Sequence, residues 1–268
     1  MVRSANGSAA DSTRPRVQLK DATVRFKTQS GEITALHEVN LEILENEFIC
    51  LMGPSGCGKT TALNVIAGFQ ALTSGQALLD GNPIEGADAS RAVVFQSDAV
   101  FPWMTVAQNV AFGPTSQNRP KQEIDRLVKE FLSLTDMQGF ADSWPMQLSG
   151  GMRKRVDIAR AYASQPEVLL MDEPFGNLDF ILKETLQGSL RDLWANVGGT
   201  IVFVTHDIEE AIFLGDRIVV MTPRPGKIAK IIPIDFGKVR ADDIRTSPEF
   251  IAIRRGIREL MTETGALA

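Results

Sequence analysis

The sequence predicts an α/β fold with a mostly parallel core sheet, an antiparallel β layer on its N-terminal side, and a helical subdomain inserted into the core. Three observations point there. Continuous apolar runs, Phe48-Ile-Cys-Leu-Met52 the clearest, mark strands buried on both faces, as strands of a parallel sheet are. Two such runs lead through a turn into a helical pattern: Phe48–Met52 through glycines into Thr60–Gly68, and Thr200–Thr205 through His206-Asp207 into Ile208–Leu214. Between Phe95 and Val168, by contrast, helical spacing dominates.

In chain order, residues 1–16 read as a tail of small and polar residues with scattered arginines. Val17–Phe26 and Leu41–Ile43 alternate loosely about a polar turn at Ser30-Gly31, which suits an antiparallel layer. Ala92–Phe95, Val168–Met171, Thr200–Thr205 and Arg217–Met221 are further buried strands. Lys121–Thr135 and Gly150–Ser164 are the helices of an insert spanning about 97–165. The main domain therefore covers 17–246. A helical tail follows at 247–268, where Phe250, Ile253, Ile257 and Leu260 fall near helical spacing.

A chain of 268 residues with 44% apolar content supports a sizeable core. The net charge of −5, without any dense Lys/Arg patch, argues against a nucleic-acid partner. Cys50 and Cys57 are the two cysteines, too few for a disulfide framework and suited to a reducing compartment. The first 16 residues carry no apolar stretch of signal-peptide type, and no segment reaches about 18 uninterrupted apolar residues. If the protein works at a membrane, another chain holds it there.

Chemistry concentrates in a few motifs. Gly53-Pro54-Ser55-Gly56-Cys57-Gly58-Lys59-Thr60 fits the phosphate-binding pattern G-x-x-x-x-G-K-[ST] between a strand and a helix, with Thr61 next in line. Its glycines let backbone N–H groups turn inward around a phosphate, and the helix adds its positive end. In this reading Lys59 reaches the β- and γ-phosphates of ATP and the Thr60 hydroxyl ligates Mg²⁺. Val168-Leu-Leu-Met-Asp172-Glu173 places two acids at the end of a buried strand, which is costly unless a cation or donors meet them. Asp172 is expected in the Mg²⁺ shell, and Glu173 is expected to polarise the attacking water. Cys57 sits among the loop amides, so a bulky thiol reagent is expected to abolish activity.

Leu148-Ser149-Gly150-Gly151-Met152 opens a helix some 20 residues before the two acids, and this arrangement resembles the signature of ATP-binding cassette (ABC) ATPases, a P-loop NTPase fold. The resemblance runs from about Val17 to Leu260. It implies that Ser149, Gly150 and Gly151 bind ATP held by a second copy of the chain, in a head-to-tail dimer. Gln96 resembles the Q-loop residue that touches Mg²⁺, and Asp179 of Gly176-Asn-Leu-Asp179 the D-loop residue that meets the opposing subunit. His206 resembles the switch histidine on the γ-phosphate, and Phe26 the aromatic stacked on adenine. Phe101-Pro-Trp103, Met152 in the signature, Arg224-Pro-Gly-Lys-Ile228 and Ser247-Pro-Glu-Phe250 are similar to the nitrate/sulfonate/taurine importer branch. That likeness implies transmembrane permease partners contacted at Phe101 and Trp103, an extracytoplasmic binding protein engaged indirectly, and a peripheral place on the cytoplasmic face of the membrane. Asn177 and Asp157 depart from the usual pattern. Asp157 is expected to pair with Arg153 or Arg160.

Overall fold

A computed structural model of the chain describes residues 14–29 and 31–265. The expected tail up to residue 13 and Ser30 of the expected turn lie outside the described residues. Strand β1 starts at Pro15, before the expected start at Val17, because Arg16 is tied down by Asp80 and Glu45 at 2.5 and 2.6 Å.

Two sheets make the frame. β1 (Pro15–Thr28), β2 (Gly31–Leu44), β4 (Ser74–Leu79) and β5 (Asn82–Pro83) form an antiparallel sheet in the order β2-β1-β4-β5. The second sheet runs β10-β9-β3-β8-β7-β6, from β3 (Phe48–Met52), β6 (Arg91–Val94), β7 (Val168–Asp172), β8 (Thr200–Thr205), β9 (Arg217–Met221) and β10 (Ile228–Pro233). All its pairings are parallel except β9 with β10.

Period-two alternation divides β3 between two cores. Phe48, Cys50 and Met52 face a large core shared with Phe203, Trp194 and the remaining helices. Ile49 and Leu51 face the other way, onto α1 (Lys59–Ala67), Val17, Leu19 and Ile43. Helix α1 is thus held between the parallel and antiparallel sheets. The insert comprises α2 (Val106–Ser116), α3 (Lys121–Leu134) and α4 (Gly150–Ala163), which pack on one another. Next come α5 (Phe180–Val197) and α6 (Ile208–Leu214), and α7 (Pro248–Glu263) closes the chain, burying Phe250, Ile257 and Met261 in the core that contains Phe213.

Helices α2 and α5 stand outside the expected elements. Gly113-Pro114 interrupts the α2 pattern, and α5 exposes Phe180 and Ile181 while burying Gln187 and Arg191, which blurs its apolar stripe. Buried Arg191 donates to the carbonyls of Lys238, Leu214 and Gly237 at 2.9, 2.6 and 2.8 Å and to Asp216 at 2.9 Å, and it stacks on Trp194. Removing it strands these acceptors. Arg191→Ala is therefore expected to destabilise the fold by about 3 kcal/mol, read as a lower urea midpoint at unchanged slope.

Candidate active site

Parallel register brings the expected chemistry together. Met52 pairs with Thr205 across β3 and β8, and Asp172 pairs with Val204 across β7 and β8. The phosphate-loop sequence, the acids and His206 therefore leave the carboxyl ends of three neighbouring strands, the usual place for a ligand crevice in such sheets.

Gly58 closes the loop at φ +100°, and a Cβ there would lie 2.8 Å from the Ala35 carbonyl, so no side chain fits. Next to it, buried Lys59 donates from Nζ to the Gly53 and Pro54 carbonyls at 2.8 and 3.0 Å. An ammonium with three rotatable donors at the mouth of an anion cradle is well matched to phosphate oxygens.

The Thr60 hydroxyl donates to Asp172 Oδ1 at 3.1 Å. Burial raises the Asp172 carboxyl above its ordinary value, with the Thr60 hydrogen bond acting in the opposite sense. A hydroxyl and a carboxylate side by side are hard oxygen donors. They fit Mg²⁺, which takes one or two protein ligands and completes its shell with phosphate oxygens and water. Gln96, in the loop after β6, lies against the loop after β7: a Cβ on Gly176 would come 3.2 Å from its Nε2.

At Glu173 the chain turns sharply, with φ +44° in the left-handed region that costs a non-glycine residue about 1 kcal/mol. Its N–H donates to the Val204 carbonyl at 3.0 Å, which anchors the turn to β8. The carboxylate then reaches across to the exposed His206, with Oε2 3.0 Å from Nδ1.

Lys59, Thr60 and Glu173 border an open cleft of about 400 Å³; Asp172 and His206 join it only through their contacts with Thr60 and Glu173, and Gln96, Gly53, Pro54 and Cys57 do not line it. Ser55, Gly56, Gly58, Lys59, Thr60 and Thr61 line one side, Phe26, Thr28, Ile33 and Ala35 of the antiparallel layer line another, and Glu173 and Arg224 complete it. Phe26, 39% exposed, is the aromatic residue of this lining. Thr28, Ile33, Ala35 and Arg224 were not expected here. Only the Arg-Pro-Gly turn around Arg224 carries a sequence signal.

Ser149, Gly150, Gly151 and Asp179 do not line this cleft. Ser149 caps α4, its Oγ accepting from Met152 N at 3.3 Å, and Asp179 caps α5, accepting from Leu182 N at 3.0 Å. Gly151 packs closely on α5, where a Cβ would fall 2.6 Å from the end of the Leu182 side chain.

The segment from Phe95 to Trp103 is held by the helix that the signature opens. Lys154 donates to the Phe95 and Gln96 carbonyls at 3.0 and 3.3 Å, Arg153 pairs with Asp98 at 2.9 Å, and Arg160 donates to the Ala99 carbonyl. Asp157, fully buried, pairs with Arg160 at 2.6 Å; Arg153 is engaged by Asp98 instead. Burial raises the Asp157 carboxyl, while Arg160 and Lys154 pull it down. Asn109 pins the following loop, accepting from Phe101 N at 2.7 Å and donating to the Phe101, Met104 and Thr105 carbonyls. Phe101 packs between Phe112 and Trp103 with Arg160 over its ring, and Trp103 stays 67% exposed.

The sequence profile of the ABC transporter family matches residues 36–176. An uncharacterised ABC transporter ATP-binding protein of Methanocaldococcus jannaschii is 44% identical over 253 residues, covering 94% of each chain. The taurine import ATP-binding protein of Roseobacter denitrificans is 43% identical over 239 residues, covering 87% of this chain and 89% of its own. Among solved structures, the dimeric post-hydrolysis state of an ATP-binding cassette bound to ADP and Pi is similar, with a TM-score of 0.69 at 33% identity over 82% of this chain and 100% of that one. The cbiO1 protein of Clostridium perfringens, part of the ABC transporter complex cbiONQ, gives a TM-score of 0.76 at 26% identity over 93% and 95% of the two chains.

One expectation is overturned by packing. Cys57 is fully buried beneath the loop, its Sγ 4.0 Å from Lys59 Nζ, and burial raises its thiol pKa against the pull of the Lys59 cation. Cys50 is buried too, and its thiol is pushed well up by burial. A buried, protonated thiol is inert. A bulky maleimide is therefore expected to leave both cysteines of the folded chain unmodified, with mass spectrometry showing two adducts only after unfolding in urea.

Proposed function

The chain belongs to the ABC transporter family, and from that premise we propose that it is the ATP-hydrolysing motor of an importer for a small anion such as taurine, an alkanesulfonate or nitrate. The observation that carries the reading is the convergence of the loop with Lys59, the Thr60–Asp172 contact and the Glu173–His206 pair at one cleft mouth.

In this reading Phe26 stacks on adenine, and the amides of the 53–58 loop cradle the phosphates. Lys59 turns from the loop carbonyls to the β- and γ-phosphates. Thr60, Asp172 and Gln96 hold Mg²⁺, which when bound neutralises charge on the phosphate oxygens. Glu173 orients the attacking water and draws on its proton, and the exposed His206 ring, beside that carboxylate, turns to hold the γ-phosphate.

A second copy of the chain supplies Ser149, Gly150, Gly151 and Asp179 in trans. The dimeric form of the similar cassette bound to ADP and Pi supports this. Closure of that dimer on ATP, and its reopening, is the work stroke. Phe101 and Trp103 pass it to transmembrane permease subunits, a role supported by the exposed aromatic platform and by cbiO1's membership of a transporter complex. We place the motor peripherally on the cytoplasmic face of the membrane; none of the described helices is long and apolar enough to cross it. The extracytoplasmic binding protein meets only the permease. The cargo class is supported by taurine import relatives at 42–43% identity. Residues 17–246 act as the ATPase domain, with the helical subdomain over about 97–165 and the helical tail from 247.

Glu173→Gln keeps the shape of the side chain but cannot take a proton. It is expected to lower ATP hydrolysis at least ~100-fold and to trap an ATP-bound dimer on size exclusion. A variant that stays monomeric with ATP at every accessible concentration would overturn the dimer mechanism.

A further inference from the structure

The turn between β9 and β10 is built more rigidly than a surface connection requires. Thr222 N donates to the Lys227 carbonyl at 2.9 Å, and the Thr222 hydroxyl accepts from Lys227 N at 3.1 Å and donates to the Pro225 carbonyl at 3.2 Å. Gly226 stitches the turn to β2: its N–H donates to the Ala35 carbonyl, and its own carbonyl accepts from His37 N, both at 3.0 Å. The same glycine lies against the phosphate loop so closely that a Cβ would fall 2.0 Å from the Cys57 carbonyl. The turn is therefore wedged between β2 and the loop that cradles phosphate.

Arg224 is the side chain this wedge delivers. It lines the cleft with Lys59 and Glu173, and its Nη2 lies 3.1 Å from where a Cβ of Gly56 would be. Among the described residues its one hydrogen-bond partner is the Gly56 carbonyl, at a long 3.5 Å from Nε. A guanidinium carries five donors in a planar fork and makes its strongest hydrogen bonds to paired anionic oxygens. Here that fork is held at the rim of an anion cradle with most of its donors unused and no carboxylate in ion-pair reach among the described residues. Purely structural arginines in this chain behave differently: Arg191 and Arg240 are buried, and each donates to several carbonyls and to Asp216.

We infer that Arg224 is a further ligand of the nucleotide's phosphate chain, a second cation beside Lys59 delivered by the Gly226 wedge. The inference rests on the nucleotide reading of the cleft. Because Arg224 is exposed and its turn is held by backbone and Thr222 bonds, truncating its side chain leaves the fold intact.

ATP affinity is measured by fluorescence titration at protein concentrations where the chain is monomeric, for the wild type, Arg224→Ala, Arg224→Lys and Lys59→Ala. Arg224→Ala is expected to weaken ATP binding by about three- to tenfold, as the loss of a charged hydrogen bond at a solvated rim, with an unchanged Tm in the absence of nucleotide. Arg224→Lys is expected to fall between it and the wild type, because the charge remains and the fork is lost. Unchanged affinity in Arg224→Ala, with affinity lost in Lys59→Ala, would leave the cleft reading standing and overturn this inference. Unchanged ATP affinity with impaired dimerisation would assign the arginine to the second copy and overturn it equally. A wild-type chain that does not bind ATP would overturn both.

Discussion

Parallel pairing of β3 with β8 and of β8 with β7 sets Met52 level with Thr205 and Val204 level with Asp172. The chemistry of this chain depends on that alignment. Three strand ends fall on one line, so a loop, two acids and a histidine, far apart in sequence, emerge within hydrogen-bonding reach of one another. The contacts Thr60–Asp172 at 3.1 Å and Glu173–His206 at 3.0 Å are its visible result. A slip of one residue in either ladder would reverse the facing of every side chain on the strand. Here the slip is opposed twice, since alternate residues of β3 are committed to two different cores. The same packing that stabilises the sheet therefore fixes the geometry of the site.

A second constraint operates in the insert. Helix α4 opens with the Ser149-Gly-Gly151 turn and then sends Arg153, Lys154 and Arg160 to the backbone and side chains of the 95–99 segment. Burying Asp157 beneath them is expensive unless the charge is paired, and Arg160 at 2.6 Å supplies the pairing. Charged groups thus add to apolar packing in linking the signature helix to the stretch that leads into Phe101 and Trp103. A displacement of either end of this linkage is carried to the other, because breaking one partner leaves an uncompensated buried charge. In the proposed dimer, this linkage joins the signature helix to the aromatics that we propose meet the permease.

Much of this was legible in the sequence, for identifiable reasons. The β3 and β8 strands are apolar without interruption, and the loop, the acids and His206 follow strand ends directly, so local pattern and tertiary position coincide. Legibility failed where the deciding term was tertiary. Helix α5 mixes exposed Phe180 and Ile181 with a buried Arg191 whose partners lie in α6 and the 237–238 segment. Strand β10 was not expected because it is a partly exposed edge strand without a clean alternation, and β5 because it is only two residues long. Cys57 was expected to react because it sits among the loop amides, yet the loop turns its sulfur inward against Gly53 and Lys59. Arg224 carried a recognisable turn motif, but only the crowding of Gly226 against Cys57 shows where the turn points.

The division of the anion-binding groups has a consequence for how such a chain uses ATP. Its own cleft holds the loop, Lys59 and Glu173, while the helix N-terminus capped by Ser149 is a second set of backbone donors outside it. A chain with both sets in one pocket could bind and turn over nucleotide alone, and none of the binding energy would be available for movement. With the sets on separate surfaces, phosphate satisfies both in the proposed dimer, by drawing two chains together. The free energy of the second set is then released in the closure itself, as a difference in affinity between the open and closed arrangements, which is the form a conformational change needs in order to do work on a third partner.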